Sequence, residues 1–512
     1  MSIMNSMSSG NRSKERRIGV LLSYLFLLSN TVINLAYVPI LIHYIGIDQF
    51  GLYKLLGSFI AYFGVLDFGL SATIVRFLVK YKVNDEIENI NKLISVAGLL
   101  YTGIGVIIVA IGVYFYFLFP TLFPKLSNDL LSSGQIILLF LLFNILILFS
   151  TKIFDAIIIS EERFIFLKTC SIIQILIQPI FVVGAIIYFP YALTVVIVQT
   201  LANVALTISK YVYVKWHMGF KYSFTGWDSQ VVKSISNLSL SFFVVSVVDQ
   251  IFWQSNQLII GAKLGSFYVA AYAIASQIYI NYMNISLAIS GVLLPKVTAM
   301  IAANASDNEI TDIFIRVGRL QFYILSLILS GFVIFGHDFL YFWVGSQFDM
   351  VFEVVLIIIS AFTIDLIQNL GLTIMQARNV YYIRAIVYTF VGILNVVLSY
   401  YWIPIYGIIG GAYSTALCML IGNGLIMNYY YYRYMNINVV KFWVEIIKIA
   451  MIPCALVPII LYVKNYLYTE PFMGAWLVMI MVYIVLLLGC YMKLSFNKYE
   501  YDLVYKVINK LK

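Results

Sequence analysis

The chain has 512 residues, of which 62% are hydrophobic and 11% are charged. Soluble domains carry about 25% charged residues, so this composition excludes a set of soluble domains and indicates a polytopic membrane protein. The formal net charge of +9 would suit a nucleic-acid-binding protein, but the positions of the cations argue against that function.

About fourteen apolar segments are long enough to cross a bilayer as helices, so we predict an all-α membrane protein. These spans cover residues 18–42, 52–77, 93–119, 134–158, 169–189, 191–213, 237–261, 268–294, 320–343, 352–375, 385–405, 407–432, 443–465 and 473–492. The polar residues 1–17 and 493–512 are predicted cytoplasmic tails. The first span is too long for the core of a signal peptide, so we expect it to be retained.

The Lys and Arg residues fall almost entirely on one side of these spans. With the N-terminus placed inside, only four of the 32 lie outside, namely Lys54, Lys125, Lys263 and Lys464. Cytoplasmic loops of membrane proteins are enriched in Lys and Arg. The distribution therefore predicts an even number of spans with both termini in the cytoplasm.

An internal repeat relates the first spans to the seventh and eighth. Gly46 and Gly265 are 219 residues apart, as are Tyr53 and Tyr272. A shift of six spans conserves the direction of crossing, so we predict two parallel six-helix lobes, 18–213 and 237–432. Residues 443–492 then form a peripheral helix pair. These two spans lack polar stripes, so we expect them to face lipid.

Several spans within the repeat carry polar residues at helical spacing. In span 7, Ser246, Asp249, Trp253 and Asn256 lie three or four residues apart, which places them on one helix face. Ionisable groups inside a membrane face a bundle interior or a wet cavity and are candidates for function. The predicted cavity residues are Asn30, Asn34, Tyr37, Asp67, Arg76, Lys152, Asp249, Trp253, Asn256, Gln277, Asn281 and Asp365.

Motifs of enzymes and metal sites are missing from the sequence. It contains no DDxxD, GxSxG, HExxH or phosphate-binding loop. The three His residues and the four cysteines, Cys170, Cys418, Cys454 and Cys490, show no ligand spacing. We expect neither an enzyme nor a cofactor or metal. The short outer loops also argue against a membrane polymerase or ligase.

Three stretches resemble the polysaccharide transport (O-antigen flippase) family of the multidrug/oligosaccharidyl-lipid/polysaccharide exporter superfamily. They are VLDFGLSATIVRF in span 2, LIIGAKLGSFYVAAYAIA after span 7, and NVVLSYYWIPIYGIIGGAYSTAL across spans 11 and 12. The resemblance extends over the whole chain in its number of spans. The resemblance carries over three residues as functional, namely Asp67 and Arg76 in the span-2 motif and Asp249 just before the span-7 turn.

The resemblance implies a flippase of the bacterial inner membrane. Its substrate would be an undecaprenyl-pyrophosphate-linked oligosaccharide repeat unit for O-antigen or capsule synthesis, moved by alternating access. The implied partners are this lipid-linked substrate, membrane lipid, a coupling proton or sodium ion, and other membrane proteins of polysaccharide assembly. No nucleic acid is implied.

Three other transporter functions are compatible with parts of the sequence. An organic-cation antiporter of the same superfamily would suit Asp67, Asp249 and Asp365, but Arg76 and Lys152 argue against it. Sequence alone does not distinguish a peptidoglycan-precursor flippase well from the O-antigen flippase. A major-facilitator transporter also has two six-span lobes, but its basic and acidic signature after span 2 is missing.

Overall fold

The computed structural model describes residues 9–67, 69–220, 223, 225–303, 305–378, 380–467, 473–502 and 505, without the side chains of residues 9–13, 16, 234–245 and 291–296. All regular structure in this part of the chain is helical. The helices are α1 Ser9–Ile45, α2 Ile47–Phe63, α3 Leu70–Val83, α4 Ile87–Leu122, α5 Asn128–Ser160, α6 Phe164–Ile186, α7 Ala192–Val212, α8 Ser229–Lys263, α9 Ser266–Ala302, α10 Asp307–Val344, α11 Val351–Leu366, α12 Leu370–Ala377, α13 Tyr382–Tyr406, α14 Ile408–Met419, α15 Met427–Tyr434, α16 Val439–Leu467 and α17 Met473–Leu494.

The all-α polytopic class predicted from sequence is confirmed. Among the described residues, 11 helices are long and apolar enough to cross a membrane, or 12 if the bent pair α11 and α12 counts as one span. Helices α8 and α9 coincide with predicted spans 7 and 8 but include side chains outside the described set. The count of fourteen spans therefore stays a prediction.

The chain divides into two compact units, one ending at Ala273 and one beginning at Ile274. This division falls inside α9, so α8, which the sequence assigns to the second lobe, packs within the first unit. In that unit α8 contacts α2, α3 and α4. The predicted boundaries of the lobes and of the peripheral pair stay predictions.

The second span is a broken helix. Between α2 and α3 the chain forms a 3-10 turn at Gly64–Asp67, and Gly69 has a φ of 67°. A positive φ strains residues with a side chain, so the glycine allows α3 to start in a new direction. Asp67 is the last residue of this turn.

The structure reproduces the repeat seen in the sequence. Gly46 and Gly265 each precede a helix, and both glycines have a positive φ, 80° and 98° respectively. Across the first turn, Tyr37 of α1 and Tyr53 of α2 lie close enough to interact electrostatically. Across the second, the residues 219 positions later are hydrogen bonded, because the Asn256 amide donates to the Tyr272 hydroxyl at 2.8 Å. Corresponding side chains therefore meet in both copies.

The expectation that the last two spans lack polar stripes was wrong for α17. Tyr483 and Tyr491 are buried against α10. Their hydroxyls hydrogen bond with those of Ser330 and Ser326, the latter at 2.8 Å. Two tyrosines eight residues apart lie on one helix face, whereas the other face of α17 is exposed and apolar, as at Val485. Helix α17 therefore has one exposed apolar face and one face packed against α10.

A buried ion network holds the segment that follows α17. Arg319 of α10 is 4% exposed. It donates to Glu500 and to Glu445 at 2.7 Å each, and to the Ser495 carbonyl at 2.7 Å. Glu500 is 2% exposed. The first part of the predicted C-terminal tail is thus docked on α10 and α16.

We expect Arg319→Ala to destabilise the second unit. Removing one partner of a buried ion pair leaves an uncompensated charge and costs about 3–5 kcal/mol. The measurement is the thermal unfolding midpoint of the detergent-purified protein. Arg316→Ala is the matched control, since Arg316 is exposed on the same helix. Equal midpoints for the two variants would contradict a stabilising role of this network.

Candidate functional site

The first unit contains a charged and hydrogen-bonded cluster at the break in span 2. The Asp67 carboxylate accepts hydrogen bonds from Ser71 at 2.9 Å and from Tyr101 at 3.1 Å. Lys152 of α5 lies 3.9 Å from the same oxygen. Two predicted site residues, Asp67 and Lys152, are therefore brought together, and each compensates the charge of the other.

A second ion pair lies one turn further along α5. Lys210 of α7 is 2.7 Å from Asp155, and the exposed fractions of the two side chains are only 12% and 28%. Asp155 follows Lys152 by three residues, so both lie on one helix face. Anions and cations thus alternate along this part of the first unit.

The Asn and Gln side chains of spans 4, 5 and 6 form a buried network. Asn144 donates to Thr200 at 2.7 Å, and Asn203 donates to Asn144 at 2.9 Å. Gln174 then donates to Asn203 at 2.9 Å. These bonds join three helices and satisfy amides that would otherwise be buried without partners. We interpret them as packing interactions.

Arg76 stands apart from this cluster. Its side chain lies on α3 and is exposed. Among the described residues, no carboxylate lies within ion-pair distance of its guanidinium. A guanidinium in this position is available to a ligand or to lipid phosphate. The structure thus joins Lys152 to Asp67 but leaves Arg76 outside the cluster.

The polar stripe of α1, Asn30, Asn34 and Tyr37, is half-buried throughout, whereas that of α8 changes in burial along its length. Asn34 donates to the carbonyl and side-chain oxygens of Asn30, each at 2.8 Å. On α8, Asp249 is exposed and Trp253 is half-buried, whereas Asn256 is 2% exposed. The Asn256 end of the stripe is closed by protein, while its Asp249 end is accessible.

In the second unit, the predicted site residues fall into two places. On α9, Asn281 donates to the carbonyl of Gln277 at 2.8 Å, and both side chains are half-buried. Asp365 lies at the end of α11, just before the chain bends by 41° into α12. Its carboxylate accepts a hydrogen bond from Asn423 and interacts electrostatically with Arg384.

Sequence reasoning missed several residues of these clusters. Tyr101, Lys210 and Arg384 were not among the predicted cavity residues. Lys210 and Arg384 were treated as cations at span ends, where the pattern cannot say which way a side chain points. Asn423 lies in a π-helical segment, Leu420–Ile426, for which the sequence has no clear signal. A carboxylate within an apolar span needs a cationic partner, so Asp155 in span 4 is the sequence signal that could have pointed to Lys210.

The side chains of these clusters are charged groups, amides and hydroxyls. No group of three or more His, Cys, Asp or Glu residues that could hold a metal ion occurs in the described residues. The clusters combine ion pairs, amides and tyrosine hydroxyls within a largely apolar chain. Such groups suit a polar ligand that crosses the membrane.

Three solved structures, all of transport proteins by their titles, are similar to this chain in fold. The chain matches "Lipid II flippase MurJ, inward closed conformation" with a TM-score of 0.71 and 16% identity, over 93% of this chain and 99% of that one. It matches the inward-facing conformation of a multidrug resistance MATE family transporter with a TM-score of 0.64 and 12% identity, over 77% and 92%. It also matches the Vibrio cholerae MATE transporter VcmN with a TM-score of 0.55 and 13% identity, over 84% and 99%. At these identities the likeness shows the fold.

No curated protein matches the sequence significantly. A family model does match, and its description is "Polysaccharide biosynthesis protein". It covers residues 18–301, more than half of the chain. This range includes the broken span 2, the Asp67 cluster and the turn at Gly265. The chain therefore belongs to the polysaccharide biosynthesis protein family.

Proposed function

We propose that this protein flips an undecaprenyl-pyrophosphate-linked oligosaccharide repeat unit for O-antigen or capsule synthesis. It would move the unit from the cytoplasmic to the periplasmic leaflet of the bacterial inner membrane. The observation that carries the proposal is the cluster of Asp67, Tyr101 and Lys152 at a broken span of a polysaccharide biosynthesis family member. Broken helices line the substrate sites of many transporters.

The physical task matches the residues available. The head group of such a substrate is anionic and rich in hydroxyls, whereas its lipid tail can stay in the bilayer. Arg76 and Lys152 supply positive charge for the pyrophosphate. Asn30, Asn34 and Gln277 supply hydrogen bonds for sugar hydroxyls. Since Lys152 lies beside Asp67, a phosphate would compete with that carboxylate, which favours weak and reversible binding.

The orientation follows from the charge distribution. We infer that both termini lie in the cytoplasm and that Arg76, Lys152 and Lys210 lie towards that side. A substrate made in the cytoplasmic leaflet would then meet the basic residues first. We further infer that a proton or sodium ion drives the movement, with Asp249 as the coupling carboxylate.

Two other functions of the superfamily are separated by their substrates. An organic-cation antiporter would be disfavoured by Lys152, Lys210 and Arg384, which repel cations. A peptidoglycan-precursor flippase would share the pyrophosphate and the lipid but not the oligosaccharide. Genes for glycosyltransferases beside this one would favour the oligosaccharide substrate.

Deletion of the gene, followed by lipid analysis, tests the proposal. We expect undecaprenyl-linked repeat units to accumulate in the cytoplasmic leaflet, because synthesis continues while export stops. Accumulation of the peptidoglycan precursor instead would identify the other flippase function. If neither lipid accumulates and surface polysaccharide is unchanged, the proposed function is wrong.

We expect Asp249→Asn to insert normally and to lose most transport. Asparagine keeps the shape and hydrogen bonding of aspartate but cannot bind and release a proton. Asp249→Glu can still bind and release a proton, so this variant should keep part of the transport activity. The measurement is export of surface polysaccharide at equal protein level. Asp85→Asn is the control, since Asp85 is exposed in a loop. If Asp249→Asn exports polysaccharide at the wild-type rate, Asp249 is not the coupling carboxylate and only forms part of the cavity wall.

The turn at Gly46 and the turn at Gly265, each after the first span of a repeat, are in direct contact within the first unit. The Ser266 hydroxyl donates to Asp48 at 2.5 Å. A Cβ atom on Gly51 would lie 2.0 Å from the Ser266 carbonyl oxygen, so only glycine fits there. Leu55 and Gly261 make a similar close approach. By the proposed orientation this contact lies towards the periplasmic side, and we infer that it breaks during alternating access.

We therefore expect that joining the two turns stops transport. Asp48→Cys with Ser266→Cys, in a chain whose four native cysteines are replaced, should form a disulfide on oxidation. Export should cease and should return after reduction, whereas either single cysteine variant should export under both conditions. Undiminished export by fully cross-linked protein would show that this contact does not open during transport.

A further inference from the structure

Helices α6 and α7 border an apolar groove on the surface of the first unit. The groove has a volume of about 580 Å³ and is lined by one face of α6, from Cys170 to Ala185, and by one face of α7, from Val198 to Ser209. Both helices are long and apolar enough to cross a membrane. The neighbour that fills such a groove is either lipid or a helix of another protein.

The walls of the groove combine large exposed side chains with small ones. Phe181 of α6 is 65% exposed and Leu201 of α7 is 63% exposed. Between them, the α7 face presents Ala202 and Ala205. Small residues on a membrane span allow the backbone of a second helix to approach closely. The shape of the groove is therefore suited to a helix, although shape alone does not exclude lipid chains.

Two glutamines of α6 bring polar groups into this groove. The Gln174 amide donates to Asn203 at 2.9 Å and to the side-chain oxygen of Gln178 at 3.3 Å. Both N–H groups of Gln174 are thereby used, whereas its own side-chain oxygen accepts no hydrogen bond from the described residues. The two N–H groups of Gln178 likewise have no acceptor in the described part of the chain. The groove thus contains one spare acceptor and two spare donors.

The depth of these amides distinguishes a protein neighbour from a lipid. Helix α6 begins at Phe164, so Gln174 and Gln178 lie about 15 and 21 Å along it at ~1.5 Å per residue. The hydrocarbon core is about 30 Å thick, and both amides therefore lie within it. Lipid chains offer no hydrogen bonds at that depth, whereas a helix with polar side chains does.

The charges around the groove are compatible with a neighbour of the same sequence. Lys168 is the only charged residue of α6, and its Nζ lies 5.9 Å from the ring centre of Phe26, on the side of α1. Lys210 is the only charged residue of α7, and it is paired with Asp155 at 2.7 Å. Two copies can therefore meet at this face without bringing like charges together.

We propose that a second copy of this chain docks on the groove through α6 and forms a homodimer. A two-fold axis along the membrane normal places Gln178 of each copy beside Gln174 of the other. The spare N–H groups of one copy then donate to the spare carbonyl oxygen of the other in both directions. Such a self-complementary contact is closed, so association stops at the dimer. This inference goes beyond the proposed function and does not depend on the transported substrate.

Cysteine cross-linking in the native membrane tests where the copies meet. The full-length chain, with its four native cysteines replaced, carries Ile177→Cys at the rim of the groove. We expect oxidation to give a disulfide-linked dimer, because residue 177 lies next to the two-fold axis. Val485→Cys on α17 is the matched control for random collision, since Val485 is 70% exposed in the middle of a span. It should stay monomeric on the same gel.

The strength of association tests the role of the amides. The labelled protein is reconstituted in liposomes, and the dimer fraction is measured by single-molecule photobleaching as its density is varied. We expect Gln178→Leu to weaken association by about three- to tenfold, since both copies lose an interhelical hydrogen bond. Gln135→Leu is the matched control, because the Gln135 amide donates to the Tyr116 carbonyl inside the unit at 3.1 Å. It should associate like the wild type.

A second variant tests the shape of the groove. Ala205→Trp keeps both glutamines but fills the space that a second helix would enter, so it should also weaken association. This variant decides the comparison if Gln178→Leu does not fold, as judged by size-exclusion chromatography.

Three results would overturn the proposal. The first is a monomer at every density, and the second is equal cross-linking of Ile177→Cys and Val485→Cys. The third is association of Gln178→Leu and Ala205→Trp that equals that of Gln135→Leu. Cross-linking of Ile177→Cys only to a different membrane protein would also overturn it, because the groove would then bind that protein. None of these measurements records transport, so the dimer and the proposed function succeed or fail separately.

Discussion

A charge inside a membrane span must be compensated by neighbouring groups or by water, and this constraint decides where the polar residues of the protein lie. Lys152 and Asp67, Lys210 and Asp155, and Lys464 and Asp338 each face one another from different helices. Arg319 reaches two glutamates. Lipid offers no hydrogen bonds, so such pairs determine which helices become neighbours.

The degree of charge compensation also distinguishes charged side chains that stabilise the fold from those that are candidates for function. Arg319 and Glu500 are sealed from solvent, and their bonds tie the segment after α17 to α10. Lys152 is 37% exposed and 3.9 Å from Asp67, so this pair is loose and accessible. Groups that a substrate must reach are expected to show such incomplete pairing.

Irregular backbone appears beside the candidate ligand-binding groups. Span 2 breaks at Asp67, span 10 bends after Asp365, and span 12 contains a π-helical segment at Asn423. Backbone groups freed by a break must be satisfied within the protein or by a ligand. At these breaks the side chains of Asp67 and Asp365 are bonded to other side chains, Asp67 to Ser71 and Tyr101 and Asp365 to Asn423.

The sequence by itself determined the helical membrane class, the approximate spans and the repeat, because these depend on local hydrophobicity and on spacing. It also predicted Asp67, Lys152 and Asp365 as candidate site residues, since a charge within an apolar segment is visible in the sequence. Only the tertiary structure decided that Lys152 faces Asp67, that Lys210 faces Asp155, and that Arg384 lies among tyrosines. Partners from distant spans meet through helix packing, which hydropathy does not encode. The same holds for α17, whose two tyrosines look like lipid-facing aromatics until α10 places serines against them.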